Sequence, residues 1–172
     1  MAANDKPGST FGLAAYGGDN WSPRLATHRQ EIGSLWADCG IDSEWRPLQS
    51  VLVHCPGTEL NAAGGDPDAV QMLEAVDLGR AREEHAAMVE TFNGAGVKVH
   101  AVEPEPPCPP NLMFCADLLV MTPQGAILGR PASTVRAGEE RQVARRLAAL
   151  GIPILATLTG NACFEGADLM WL

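Results

Sequence analysis

The chain has 172 residues, 46% of them hydrophobic, and 21 acidic against 12 basic side chains give it a net charge of -9. That length suits one domain with its own core, and a pI near 4.8 argues against a nucleic-acid partner, because phosphate contact needs a basic face. No run of 18 apolar residues occurs, so no membrane span or membrane partner is expected.

The first residues, Met1-Ala2-Ala3-Asn4-Asp5-Lys6, lack a basic segment followed by an apolar one, so no secretory leader is expected. Residues 1–22 are rich in Gly, Ser, Asn and Asp and read as a flexible tail before a domain over 23–172. Scattered apolar positions (Leu25, Ile32, Leu35, Trp36) allow a short helix. Val51-Leu52-Val53, bounded by Pro56-Gly57, is expected to be a buried strand. Residues 57–76, with Gly64-Gly65-Asp66-Pro67, form a long loop of the kind that is often functional or mobile.

Asp77 is placed to cap a helix whose apolar face is Leu78, Ala81, His85, Met88, Val89 and Phe92, ended by Asn93-Gly94. Val97, Val99 and Ala101 alternate with Lys98 and His100 as a half-exposed strand. Five prolines between Glu103 and Pro110 forbid a strand there. Residues 117–122 and 126–129 read as a hairpin turning at Pro123 and Gly125. A second helix is expected over 134–149, capped by Ser133 or Thr134 and burying Val143, Leu147 and Leu150, followed by a strand from Pro153 and another over 169–172.

These pieces repeat. Val51-Leu52-Val53-His54-Cys55-Pro56-Gly57 parallels Ala126-Ile127-Leu128-Gly129-Arg130-Pro131-Ala132, and Ala95-Gly96-Val97 parallels Leu150-Gly151-Ile152. Phe114 to Leu118 parallels Phe164 to Leu169 with one inserted residue, so that Asp117 and Glu165 each stand just before an apolar stretch. A repeat of about 50 residues suggests a radial or stacked architecture. Acids at the same end of neighbouring repeats converge on one axis. Two carboxylates so placed suit a guanidinium, which is flat, always charged and able to pair bidentately, with an aromatic ring such as Phe114 on its face. Taken singly, Asp117 also fits a strand-start residue satisfied by local backbone, and Glu165 a loop carboxylate beside Gly166.

Pro110-Asn111-Leu112-Met113-Phe114, Asp117, the stretch from Gly129 through Arg136 to Glu140, and Phe164-Glu165-Gly166-Ala167-Asp168 resemble the guanidino-group-modifying superfamily, which holds arginine deiminases, dimethylargininases and amidinotransferases. The likeness runs roughly from Leu48 to Leu172. It implies an α/β fold, the pentein propeller of five β-β-α-β blades, of which about two and a half are present. It implies that Asp117 and Glu165 hold the substrate guanidinium, that Phe114 lines it, and that Asn111, Arg136 and Asp168 take part in substrate binding. In such enzymes a Cys thiolate attacks the guanidinium carbon to give an amidino-thioether, a His–acid pair moves protons, and water or an amine receives the amidino group.

The chain departs from that pattern in two places. Where the superfamily usually has Arg before the first acid, this chain has Ala116. The His and Cys of the chemistry are expected beyond the Phe-Glu-Gly-x-Asp motif, which implies a complementary C-terminal chain that supplies them. None of His28, His54, His85 and His100 has an acid two residues on, so none is taken as the base. Cys115 and Cys163 flank the acidic motifs, but a thiol beside carboxylates is poorly activated, and buried structural thiols are the plainer reading. The five cysteines have irregular spacing and no C-x-x-C pair, which points to reduced thiols, a cytoplasmic location and neither metal nor cofactor. Two functions follow as expectations: one chain of a composite hydrolase or transferase acting on arginine or a related guanidino compound, or a non-catalytic guanidinium-binding or regulatory subunit.

Overall fold

The computed structural model describes residues 9–10, 13–14, 21–63 and 65–172. The expected N-terminal tail lies largely outside these residues; within it, β1 (Ser9–Thr10) and β2 (Leu13–Ala14) pair antiparallel. The short helix of the next segment is α1 (His28–Glu31), four residues long, held by a capping box between Thr27 and Gln30.

Two β-α-β units follow. In the first, β3 (Ser50–Val53) runs parallel to β4 (Lys98–Ala101), and the connection is the 57–76 loop plus α2 (Leu78–Gly94), with Asp77 accepting from the Arg80 N–H as its cap. In the second, β5 (Leu119–Thr122) and β6 (Gly125–Leu128) form the expected hairpin, and α3 (Glu139–Ala149) returns the chain to β7 (Ile154–Thr157), parallel to β6 with a register shift at Ala126/Ile127. Parallel partners need such a crossover, and a helix that covers the sheet supplies it. Among the described residues the strands make three small sheets, a mixed α/β arrangement.

Three expected elements differ. The second helix does not begin at Thr134. A 3-10 turn, Thr134–Arg136, is capped by the Ser133 hydroxyl, and α3 starts only after Gly138 at φ 94°. That left-handed backbone, open to glycine, breaks the helical path in two. Residues 169–172 are not a strand: Leu169 follows a 3-10 turn at Gly166–Asp168, and the Trp171 N–H donates to the Glu44 carboxylate instead of to a ladder. An apolar run becomes a strand only where another strand offers its backbone groups. The first hairpin strand, expected over 117–122, starts two residues late, at Leu119, because Asp117 and Leu118 belong to a 3-10 turn, Cys115–Leu118.

The core sits in the second unit. Leu112, Leu118, Ala126, Leu128, Val143 and Leu147 are all buried, together with Val102 and Cys115. The roof over this core is the irregular 102–118 segment. Gln142 of α3, itself buried, fixes that roof by exchanging two hydrogen bonds with the backbone of Glu105, at 3.0 and 2.9 Å. The two 3-10 turns that carry the acidic motifs lie against each other, and the bridge between Arg130 and Phe164 ties the end of β6 to the second turn.

Candidate functional site

At the junction of these turns is a cavity of about 310 Å³ lined by Gln71, Asn111, Phe114, Asp117, Ser133, Arg136 and Glu165. The backbone sets its shape. A Cβ on Gly166 would meet the Leu119 carbonyl oxygen directly and stand 2.6 Å from that of Ala116, so only glycine allows the second turn to press onto the first. Asp117 and Glu165, one from each turn, thereby face the same space, as the repeat predicts.

Arg136 is the centre of the site's charge. Its guanidinium donates to Asp117 Oδ2 at 2.6 Å, to Glu139 Oε2 at 3.0 and 2.8 Å, and to the Phe114 carbonyl at 3.4 Å. The Phe114 ring lies 5.8 Å from the guanidinium carbon, within cation–π range. Burial pulls the Arg136 pKa down, but the bonds and charges of Glu139 and Asp117 outweigh it and leave it above its ordinary value. For Glu139, fully buried in the first turn of α3, burial outweighs Arg136 and holds the carboxyl above its usual range. A planar donor matched to two acids is the arrangement in which a buried arginine is best compensated.

At Ala116, where the family resemblance implies an arginine, the contact to Asp117 comes instead from Arg136, nineteen positions along the chain. Arg136 was anticipated as a contact for the substrate, and its guanidinium is already engaged by protein carboxylates. Asn111 is buried. Its Nδ2 donates to the Val70 carbonyl at 2.9 Å, whereas its Oδ1 has no partner. The bond to Val70 also anchors the long loop and sets Gln71, in left-handed backbone at φ 61°, on the cavity wall.

Asp168 is exposed and does not line the cavity; its amide closes the turn on the Glu165 carbonyl. Neither Cys115 nor Cys163 lines the cavity. Cys115 is buried, and burial, reinforced by the Glu139 charge, pushes its thiol up to about 11. Cys163 is exposed beside Arg130, at 3.6 Å. Two wall residues escaped the sequence reading. Gln71 sits in the loop marked as a functional candidate by its length alone, and Ser133 was read only as a helix cap, a role it does perform for the 3-10 turn.

No protein-family model matches the chain, and no curated protein matches it. Solved structures do. The chain shares its fold with solved dimethylarginine dimethylaminohydrolases, with the arginine dihydrolase ArgZ and with AgrE. A dimethylarginine dimethylaminohydrolase captured as an adduct with S-methyl-L-thiocitrulline superposes with a TM-score of 0.59 at 20% identity, over 73% of this chain and 48% of its own. The Pseudomonas aeruginosa enzyme complexed with citrulline gives 0.58 at 20% identity, over 70% and 46%. ArgZ, an arginine dihydrolase of the cyanobacterial ornithine–ammonia cycle, gives 0.51 at 21% identity, over 70% and 16%. At such identities the likeness is one of fold, and the chain spans about half the length of the dimethylarginine dimethylaminohydrolases it matches. No described helix is long and apolar enough to cross a membrane.

Proposed function

We propose that this chain forms the guanidinium-gripping part of a pentein enzyme site that acts on arginine or a related guanidino compound. The observation that carries the reading is that Asp117 and Glu165 line one cavity, together with Phe114. One buried guanidinium against the three carboxylates Asp117, Glu139 and Glu165 leaves the site with excess negative charge, suited to a cationic ligand. Arg136 acts as a positioning residue that orients Asp117. Asn111 Oδ1, a buried acceptor without a partner, suits an N–H of the ligand. The solved neighbours that act on arginine or bind citrulline and thiocitrulline support the same substrate class.

In this reading the two units are part of a five-bladed propeller, and a complementary C-terminal polypeptide brings the His and the nucleophilic Cys. The thiolate adds to the guanidinium carbon, the substrate amine departs with a proton from the His, and water or an amine then releases the amidino group. A non-catalytic guanidinium-binding subunit is the second reading, favoured by a cavity wall that holds neither His nor Cys among the described residues.

Calorimetry with arginine tests the shared part. Glu165 has no other hydrogen-bond partner among the described side chains, so Glu165→Gln is expected to weaken arginine at least about tenfold, the loss of one charge-assisted pair, while unfolding is unchanged. Arginine affinity indifferent to Glu165→Gln overturns the site. Turnover of arginine only after the complementary chain is added separates the enzyme from the binder.

A further inference from the structure

A second cluster, none of whose residues lines the cavity, lies where β3 ends. His54 is buried directly after Val53, and its Nδ1 stands 3.4 Å from the Val102 carbonyl oxygen. Its Nε2 stands 3.0 Å from Glu59 Oε1 and 3.9 Å from Cys108 Sγ. The three donor atoms all lie within 4.8 Å of one another. Glu59 is held in place by the Gly57 N–H, which donates to the same Oε1 at 2.6 Å.

The polar geometry is specific. A carbonyl oxygen only accepts, so the contact with Val102 places a hydrogen on Nδ1 and turns Nε2 toward Glu59. Across the 3.0 Å gap to that carboxylate, Nε2 either donates as an imidazolium or shares a cation with it. The ring is thus oriented as in a metal ligand, with its far nitrogen directed at a backbone carbonyl. Tetrahedral zinc with bonds of about 2.0–2.3 Å separates an imidazole nitrogen from an oxygen or sulfur ligand by about 3.3–3.6 Å. The observed 3.0 and 3.9 Å straddle that range. Thiol, imidazole and carboxylate together suit zinc better than calcium or magnesium, which take oxygen ligands.

We propose that His54, Glu59 and Cys108 bind a zinc ion, with a fourth position open to water. The three ligands come from the end of β3, the 3-10 turn at Thr58–Ala63 and the proline-rich segment after β4. The metal joins three pieces of irregular chain, one of them the loop that carries Gln71 on the cavity wall. The site is structural: it holds that loop and stands apart from the guanidinium chemistry.

The test uses the full chain, purified metal-free, and Co²⁺ as a spectroscopic probe. One equivalent of Co²⁺ is expected to give a sulfur-to-cobalt charge-transfer absorption that zinc abolishes by displacement. Cys108→Ser removes the band, Glu59→Gln weakens Co²⁺ binding at least about tenfold by loss of one ligand, and Cys55→Ser leaves the band intact. No band in the parent chain, a band that survives Cys108→Ser, or one lost with Cys55→Ser each overturns the proposal. Alkylation of the unaltered chain, mapped by mass spectrometry, makes the answer independent of how the variants fold: zinc is expected to protect Cys108 while exposed Cys55 and Cys163 stay reactive. Equal Cys108 labelling with and without zinc contradicts the site.

Discussion

The two β-α-β units share a chain path and differ in how much they bury. In the second, β6 lies between β5 and β7, and α3 sets Val143 and Leu147 into a closed core. In the first, β3 has only β4 beside it among the described residues, and none of the 17 residues of α2 is buried; even Met88, on its apolar face, is 40% exposed. Amphipathic spacing thus identifies a face in both helices, but only a complete sheet beneath it turns the face into a core. The second unit holds its acids over a buried core. The first contributes loops, including the one that carries Gln71.

Breaking the ion network of the second unit has the largest expected effect. Arg136→Met leaves Glu139, fully buried, without its cation, and about 3–5 kcal/mol of stability is expected to go with it. A urea-unfolding midpoint measures this. Next is the contrast itself: Leu147→Ala is expected to cost about 2–5 kcal/mol as a cavity in the core, against about 1 kcal/mol or less for Met88→Ala on α2. Equal losses at the two sites show that α2 is covered in solution. Native-state hydrogen exchange sharpens the point, with β5 and β6 amides opening at higher free energy than those of β3.

A smaller effect depends on pH. The Cys115 thiol is held at about 11 instead of 9.0, so the fold prefers its protonated form. Stability from this preference is fully present below pH 9 and lost as pH rises to 11, about 3 kcal/mol in all. Cys115→Ala is expected to start less stable at neutral pH and to show a shallower alkaline decline. Parallel declines in variant and parent place the loss elsewhere.

The sequence made the regular elements legible where a local signal and the tertiary structure agree. Asp77 caps α2, the hairpin turns at Pro123 and Gly125, and the two helix-to-strand exits fall where the repeat puts them. Residues 169–172 were misread because their apolar character is local and a strand partner is not. The start of α3 was misplaced because Ser133 caps a 3-10 turn, and Gly138 offered the break that the run of helix formers concealed. In the candidate site, repeat equivalence anticipated that Asp117 and Glu165 stand on one cavity. It did not find the partner of Asp117, because the contact with Arg136 exists only once α3 folds back over the 3-10 turn. Gln71 depends on a bond between Asn111 and Val70, two positions 41 residues apart with no shared pattern.

The pressed contact at Gly166 works as a ruler. A joint made of main chain on main chain has no rotamers to relax, so it fixes the backbone spacing of the two turns, while the Asp117 and Glu165 side chains keep their own torsions. Substitutions around the rim can change what the walls attract or repel, but the spacing of the two backbones is not theirs to adjust.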